Sequence, residues 1–596
     1  MIIKALILEN FKGIREPVRI EFKPITLLFG PNSAGKSTIL QALVYAREIF
    51  ERHNLDPDRT LLGGDWLDLG GFSNLIHMHD LSKTLRIGFE LDLRNHGLNT
   101  YFTETDAELL EQRVLDQSEY GNATYPENLL SSIDTMEVFW GVRWSELRNE
   151  PYVESLAIAA NSVQLAEVRS SSDGKDIAID VFNICHPIFK QKLELKEENK
   201  SLLVNGWFYE LCKGEISHKN MLINPKYEIS QEKFINSLPA SLDKDLLDCL
   251  PVPDYPDTEL SEYYSRLSIS DQKDALPKTG SPLSLDESVW AQRDEIDWPY
   301  ESNIFVFQNY IRAIFTGVIV GPIELLQGEL EKLIYIGPLR EVAPRNLSHI
   351  RSPDPGRWSN GTAAWEVLTN AEETFLEKVN EWIAAKDRLN TGYQVKQHRF
   401  RELPVDHPIS YAIAQDRVLD EDGLANALES IPTKSRVSLI ELQNDLEVAP
   451  RDIGVGVSQV LPVVVAVLHH RSGILAIEQP ELHIHPALQV ALGDLFIQDM
   501  DEKDTIYLLE THSEHLMLRF LRRIRETTEC KLPPGAPALI PDQVSVIYVQ
   551  NTEQGVKLKP LPVSEEGEFL ERWPEGFFEE RDYELFGDLE WFTNTL

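Results

Sequence analysis

An α/β fold built around a parallel sheet is what this sequence predicts, on three observations. Near the N-terminus, Ile25-Thr26-Leu27-Leu28-Phe29 is an apolar strand-like run that Gly30 ends, and a helical pattern follows from Ser37 to about Phe50. Far along the chain, strand patterns at Gly473 to Ile477 and Thr505 to Leu509 each precede a helix pattern, the alternation a parallel sheet needs. The composition, 42% hydrophobic and 26% charged, is that of an ordinary folded chain. Its 596 residues allow roughly three to five structural units.

The elements read in order as follows. Ile7-Leu8-Glu9-Asn10-Phe11 is strand-like, and Val18-Arg19-Ile20-Glu21-Phe22 alternates at period 2. After the first helix, Gly63-Gly64 and Gly70-Gly71 mark turns, and Leu85 to Leu91 alternates again. Short strands continue to about residue 195, among them Ala178 to Phe182. Between about 196 and 332 the pattern becomes helical with Pro- and Asp-bearing linkers, and Asp243 to Asp297 carries fourteen acids and five bases. That stretch is expected to be an inserted, solvated helical region. From Glu565 the last 32 residues hold eleven acids and two arginines, an acidic extension. The expected division is therefore 1–195, a helical insertion 196–332, 333–535, and a C-terminal extension 536–596.

The chain has 57 Lys plus Arg against 96 Asp plus Glu, a formal charge of −39, so as a whole it repels polyanions. A nucleic acid partner must meet a local basic surface, for which Arg519, Arg522, Arg523 and Arg525 are one candidate and a solvated helix face the plain alternative. Four scattered cysteines, Cys185, Cys212, Cys249 and Cys530, form no C-x-x-C pair, which argues against a disulfide framework or a cysteine zinc site. The first residues lack a signal-peptide pattern, and Ile304 to Leu326 is interrupted by Gln308, Asn309, Arg312 and Glu324. No membrane partner and a cytoplasmic location are expected.

Gly30-Pro31-Asn32-Ser33-Ala34-Gly35-Lys36-Ser37 is a G-x-x-x-x-G-K-S loop between a strand and a helix, the context that confirms a phosphate-binding loop. Its glycines let backbone N–H groups curl around phosphates, Lys36 reaches the β and γ oxygens, and the Ser37 hydroxyl can ligate Mg²⁺. ATP and Mg²⁺ are the implied cofactors. Ile474-Leu475-Ala476-Ile477-Glu478 is an apolar strand ending in an acid, which makes Glu478 the second metal-side candidate. The next residue is Gln479, whose amide can orient water but is a poor proton acceptor, so slow hydrolysis is expected, with Glu481 a weaker candidate base. Gly454-Val455-Gly456-Val457-Ser458-Gln459 opens a helical pattern in which Pro462 is expected near the first turn; it is a second phosphate site or an ordinary N-cap. His512, in Thr511-His512-Ser513, falls at the C-terminal edge of the sheet and could sense a γ-phosphate or its attacking water. His483 and His485 lack a third ligand at metal spacing.

Taken together, the P-loop, Gly456-Val457-Ser458-Gln459 and Glu478-Gln479-Pro480-Glu481-Leu482-His483-Ile484-His485-Pro486 resemble, in order, the ABC-type ATPase heads of the SMC, RecF and OLD-like group. Within it the likeness is to stand-alone ATPases of bacterial anti-phage systems such as Septu, Gabija and PARIS. Tyr335-Ile336-Gly337-Pro338-Leu339-Arg340 and Trp573-Pro574-Glu575-Gly576-Phe577-Phe578 look like marks of one subgroup. The resemblance implies an ABC-type P-loop ATPase head with an antiparallel β lobe. It implies a homodimer or higher even oligomer held through ATP, with Ser458 and Gln459 of one chain facing the nucleotide on Lys36 of another. Arg340 is implied either near the nucleotide or in an ion pair. Gln479 departs from the glutamate more common in the wider family. The absence of a D-x-D pair after Glu510 argues against an appended Toprim nuclease, so a cutting activity would belong to an effector partner. The expected function is a nucleotide-gated sensor or regulator of that effector; the alternatives are a RecF-like DNA-maintenance ATPase and a scaffold with negligible hydrolysis.

Overall fold

The computed structural model describes residues 2–60, 64, 66–110, 126–183, 186–190, 267–285, 309, 312–342, 354–415, 428 and 431–574. They fall into two compact units. One comprises Met1–Phe22, Gln41–Glu331 and Gln550–Leu558, the other Lys23–Leu40, Lys332–Val549 and Lys559–Leu596.

The first unit is built on an antiparallel sheet of eight strands: β1 (Ile3–Glu9), β2 (Val18–Glu21), β4 (Thr84–Asp92), β5 (Thr135–Ser145), β6 (Glu150–Ala160), β7 (Val163–Ser170), β8 (Ile177–Phe182) and β9 (Leu267–Ser268), in the order β2-β1-β4-β5-β6-β7-β8-β9. Its register follows the alternation read in the sequence. Leu85, Ile87, Phe89 and Leu91 stand opposite Val142, Trp140, Val138 and Met136, all buried on one face. Phe89 stacks on Trp140 at 5.8 Å between ring centroids, and Phe50 meets the same indole edge-on at 4.9 Å. This is the antiparallel β lobe. Much of the expected helical insertion at 196–332 lies outside the described residues. Its described part holds both the short strand β9 and a helix at Arg312–Glu331. Among the described residues, that helix alone is long and apolar enough to cross a membrane, and 78% of its most apolar window is buried inside the protein, the mark of a core helix.

The second unit carries the parallel sheet. Its strands are β3 (Ile25–Phe29), β10 (Ile334–Ile336), β14 (Ser472–Glu478), β15 (Asp504–Glu510) and β16 (Val544–Thr552, of which the residues to Val549 belong to this unit), in the order β10-β14-β15-β3-β16. β10, β14, β15, β3 and β16 run parallel. Every residue of β3 is buried, as a strand covered on both faces requires. β15 separates the P-loop strand β3 from the acid-bearing strand β14, and Glu478 pairs in register with Glu510. Both carboxylates therefore reach the carboxyl edge of the sheet, where α/β folds bind ligands. α1 (Lys36–Arg52) follows β3 directly.

One apolar cluster joins that sheet to α2 (Thr362–Asn370), α3 (Glu373–Ala384), α4 (Val455–His469), α5 (Pro486–Ile497) and α6 (Glu514–Thr528). A three-stranded antiparallel sheet, β11 (Tyr393–Phe400), β12 (Lys434–Glu441) and β13 (Leu446–Val448), adds Val395, Val437 and Leu439 to the same cluster. From Ser458 to Leu468 every residue of α4 is buried, so this helix is apolar all round. Pro462 lies in the interior of α4 rather than at its first turn. A central proline normally costs about 3 kcal/mol by removing an N–H donor, and the burial of the whole helix offsets that local penalty.

Candidate nucleotide-binding site

Every site residue singled out in the sequence belongs to the second unit. Gly30 leaves β3 with φ +145°, Ser33 sits at φ +61° and Gly35 at φ +101°, so the loop curls back before α1 begins at Lys36. A β-carbon on Gly30 would lie 2.1 Å from the Val549 carbonyl oxygen, a main-chain atom that cannot swing away. Gly30→Ala is accordingly expected to cost about 3 kcal/mol and to lower the melting temperature by about 6–12 °C, measured by calorimetry without nucleotide. An unchanged transition would show that the strand-to-loop turn has slack.

Lys36 is buried, and its Nζ donates to the loop's own carbonyls, Gly30 O at 3.1 Å and Pro31 O at 2.9 Å. Burial lowers its pKa, against the opposing pull of Glu510, Glu481 and Glu478. The amine thus already sits inside the loop, 3.9 Å from Glu510 Oε1. Ser37 donates its hydroxyl to Glu510 Oε2 at 2.7 Å. Burial raises Glu510 to about 7, and the neighbouring Glu478 pushes in the same direction. Glu478 accepts a hydrogen bond from the Tyr335 hydroxyl at 2.7 Å, and burial raises its pKa as well.

Arg340, 4% exposed, ties the acid strand to α4. Its guanidinium donates to the carbonyls of Glu478 at 2.6 Å, Gln479 at 3.2 Å and Gln459 at 3.5 Å. Its main-chain N–H and C=O are both matched by the Gln459 amide, at 3.1 and 2.7 Å. Of the two roles the resemblance left open for Arg340, the ion pair is replaced by a clamp on main-chain carbonyls. Burial lowers the guanidinium to about 10, opposed by Glu481 and Glu478. Gln459 is thereby fixed inside the chain. Ser458 is also buried and donates to the Val455 carbonyl at 2.8 Å, whereas Gly454 and Val455, which open the helix, are exposed.

Gln479 is partly exposed, takes φ +44° and donates its N–H to the Glu510 carbonyl at 2.7 Å. Glu481 accepts the His512 N–H at 2.7 Å through Oε1. One oxygen of this candidate base therefore holds the loop that presents the histidine. Burial, with the Lys36 charge, lowers His512 to about 4, so the ring is neutral at pH 7. Ser513 caps α6 by accepting the Leu516 N–H at 3.0 Å.

Two contributors lie outside the sequence motifs of the site: Tyr335 belongs to the Tyr335–Arg340 segment, and Glu510 to no motif. The signal for Glu510 was present, since it ends its strand as Glu478 ends the neighbouring one, but the pairing that makes the two adjacent is not local. Three of the four arginines of the run, Arg519, Arg522 and Arg523, are ion-paired. Asp494 takes Arg519 at 3.0 Å and Arg523 at 2.7 Å, and Glu526 takes Arg522 at 2.6 Å.

A strand, a glycine loop with an inward lysine, a helix, and two carboxylates on adjacent strand ends make up a P-loop nucleotide site. The family described as "AAA ATPase domain" matches residues 1–336, more than half of the chain. The chain belongs to the AAA ATPase-domain family. A second description, an AAA domain and candidate AbiEii toxin of Type IV TA systems, matches residues 328–518 of this AAA ATPase, and a protein of unknown function (DUF3696) matches residues 539–586. No curated protein matches the chain.

Among solved structures, it is similar to the Smc head domain of Pyrococcus furiosus with an extended coiled coil, bound to the C-terminal domain of ScpA. That likeness has 10% identity and TM-score 0.32, over 94% of this chain and 96% of that one. It is also similar to the SMC head domain from Thermotoga maritima, at 9% identity and TM-score 0.31, over 94% and 100%. Scores this low add nothing to the family assignment.

The residues of this AAA ATPase fit a phosphate tail and Mg²⁺. Ser37, Glu478 and Glu510 are hard oxygen donors, and Arg340 Nε is a buried polar atom without a hydrogen-bond partner. Among the described residues no group of three or more His, Cys, Asp or Glu is placed to hold a metal ion alone. That suits Mg²⁺, which binds through one or two carboxylates and shares its remaining ligands with phosphate and water. Lys36 and the loop N–H groups would hold the phosphates, and Ser37 with Glu478 the cation. Bound Mg²⁺ neutralises charge on the phosphate oxygens and fixes their positions.

Proposed function

We propose that this AAA ATPase is a nucleotide-gated switch that binds ATP, hydrolyses it slowly and assembles as an even-numbered oligomer to control an effector protein. The observation that supports it most directly is the division of the site. Lys36, Ser37, Glu478 and Glu510 are gathered at one sheet edge, while the turn before Ser458 opens to solvent with Val455 60% exposed. An exposed glycine-bracketed helix start is suited to a nucleotide held by a second copy, as in the ABC-type heads that the motifs resemble. Its location is the cytoplasm. The motif resemblance to ATPases of anti-phage systems supports a role in bacterial defence with a nuclease as the effector, any DNA contact being confined to a local basic surface, and the second matching family description names a toxin of Type IV TA systems.

Slow turnover follows from Gln479, because an amide does not take a proton from water. Single-turnover hydrolysis by the purified chain and by Gln479→Glu, with solution mass recorded alongside, tests both parts. The variant is expected to hydrolyse at least about 10-fold faster, since general-base catalysis contributes 10²–10⁴-fold. ATP is expected to raise the solution mass in both. Equal rates would move the base elsewhere, with Glu481 next, and an unchanged mass with ATP would remove the oligomeric switch. Negligible turnover with intact assembly would favour a scaffold, and turnover stimulated by DNA alone would favour DNA maintenance.

A further inference from the structure

We propose that Glu510 is a positioning residue for the cation site, the acceptor that aims the Ser37 hydroxyl, and that the work of one carboxylate is here divided between two adjacent strands. This rests on the nucleotide-binding reading above. A serine that gives an oxygen lone pair to Mg²⁺ still has a proton to donate, and the acceptor of that proton fixes where the lone pair points. In this chain the acceptor is Glu510 Oε2, at 2.7 Å. Glu478 also feels the Ser37 hydroxyl and carries further constraints of its own. Its Oε1 takes the Tyr335 hydroxyl at 2.7 Å, and its main-chain carbonyl takes Arg340 at 2.6 Å.

The pairing of Glu478 with Glu510 across parallel strands puts both residues at the same level of the sheet, Glu510 on the strand beside the P-loop strand and Glu478 on the strand beyond it. Glu510 is built into the site in three further ways. Its Oε1 lies 3.9 Å from the Lys36 ammonium, and its main-chain carbonyl accepts the Gln479 N–H at 2.7 Å. It also stands two residues before His512. Glu478, held by Tyr335, would meet the cation or its water, while Glu510 orients the hydroxyl that the cation must use.

The test is the Mg²⁺ concentration needed for half-maximal binding of a fluorescent non-hydrolysable ATP analogue by the full chain, for wild type, Glu510→Gln, Glu510→Ala and Glu478→Gln. Melting curves control for folding. Glutamine keeps a carbonyl acceptor for Ser37 and loses the charge; alanine loses both. Glu510→Ala is expected to raise the Mg²⁺ requirement about tenfold, the size of one charge-assisted hydrogen bond, with Glu510→Gln within about threefold of wild type. Binding without Mg²⁺ is measured for each protein as its own reference, so that the Mg²⁺ requirement is read separately from any change that loss of the Glu510 charge beside Lys36 makes to phosphate binding. If alanine and glutamine raise the requirement equally, the charge acts rather than the acceptor, and the proposal fails. If Glu510→Ala does not fold, a wild-type Mg²⁺ requirement in Glu510→Gln keeps the proposal and a tenfold rise overturns it. If both bind Mg²⁺ and analogue as wild type does, Glu510 is only a buried structural acid. If the wild-type chain does not bind the analogue at all, the nucleotide reading itself falls and this proposal with it, an outcome distinct from the others.

Discussion

Lys36→Ala is expected to weaken ATP binding about ten- to a hundredfold while leaving the nucleotide-free protein close to its wild-type stability. The first part follows from the position of the amine. Lys36 is buried within the loop, on the Gly30 and Pro31 carbonyls, at the place where the β and γ oxygens lie in a P-loop. A hydrogen bond to a charged group contributes about 1.5–3 kcal/mol, and every 1.4 kcal/mol is tenfold in affinity. The second part follows from its cost when no phosphate is present. Burial disfavours the charged amine and lowers its pKa, which offsets much of what it gains from the nearby carboxylates and the two loop carbonyls. Calorimetric titration with ATP and Mg²⁺ measures the first part, and melting with and without nucleotide measures the second. Affinity within threefold of wild type would place the phosphates away from this loop.

The largest loss of stability is expected from Arg340→Met, at about 3–5 kcal/mol, the cost of breaking a buried charged network by removing one partner. Methionine keeps much of the volume and supplies no donor, so the carbonyls of Glu478 and Gln479 lose theirs. The buried carboxylates of Glu478 and Glu481 lose the positive charge that favours their ionised forms. Arg340→Lys should recover only part of the loss, because an ammonium cannot reproduce the planar fork. The Gln459 amide would still meet the main chain of residue 340, so α4 should stay folded. Denaturant unfolding of the three proteins gives the ordering. A loss below about 1 kcal/mol would mean that the guanidinium is no more than a surface charge in energetic terms.

The loop, its lysine and its serine were legible in the sequence because they are contiguous: strand, glycines and helix start lie within thirteen residues, Ile25 to Ser37, and act on one another locally. Glu478 was legible for the same reason, as the acid ending an apolar run. Gly454 to Gln459 reads locally as a second phosphate site or an N-cap, and the partner of the Gln459 amide, the main chain of Arg340, lies more than a hundred residues earlier, beyond the reach of any local pattern. Pro462 was expected near a helix start because local propensity demands it, and tertiary burial overrode that demand.

Sequence alone therefore determined the chemistry: an α/β chain with a phosphate-binding loop, an acid-ended strand, a glutamine where a base is usual, and a strongly acidic surface. Only the tertiary structure decided which carboxylate meets Ser37. That depends on β15 lying between β14 and β3, and on Glu478 standing level with Glu510. Strand order and register are set by how whole apolar faces pack, not by residues near the strand ends. The partner of a hydroxyl 473 residues away in the chain is therefore settled by the packing of the sheet.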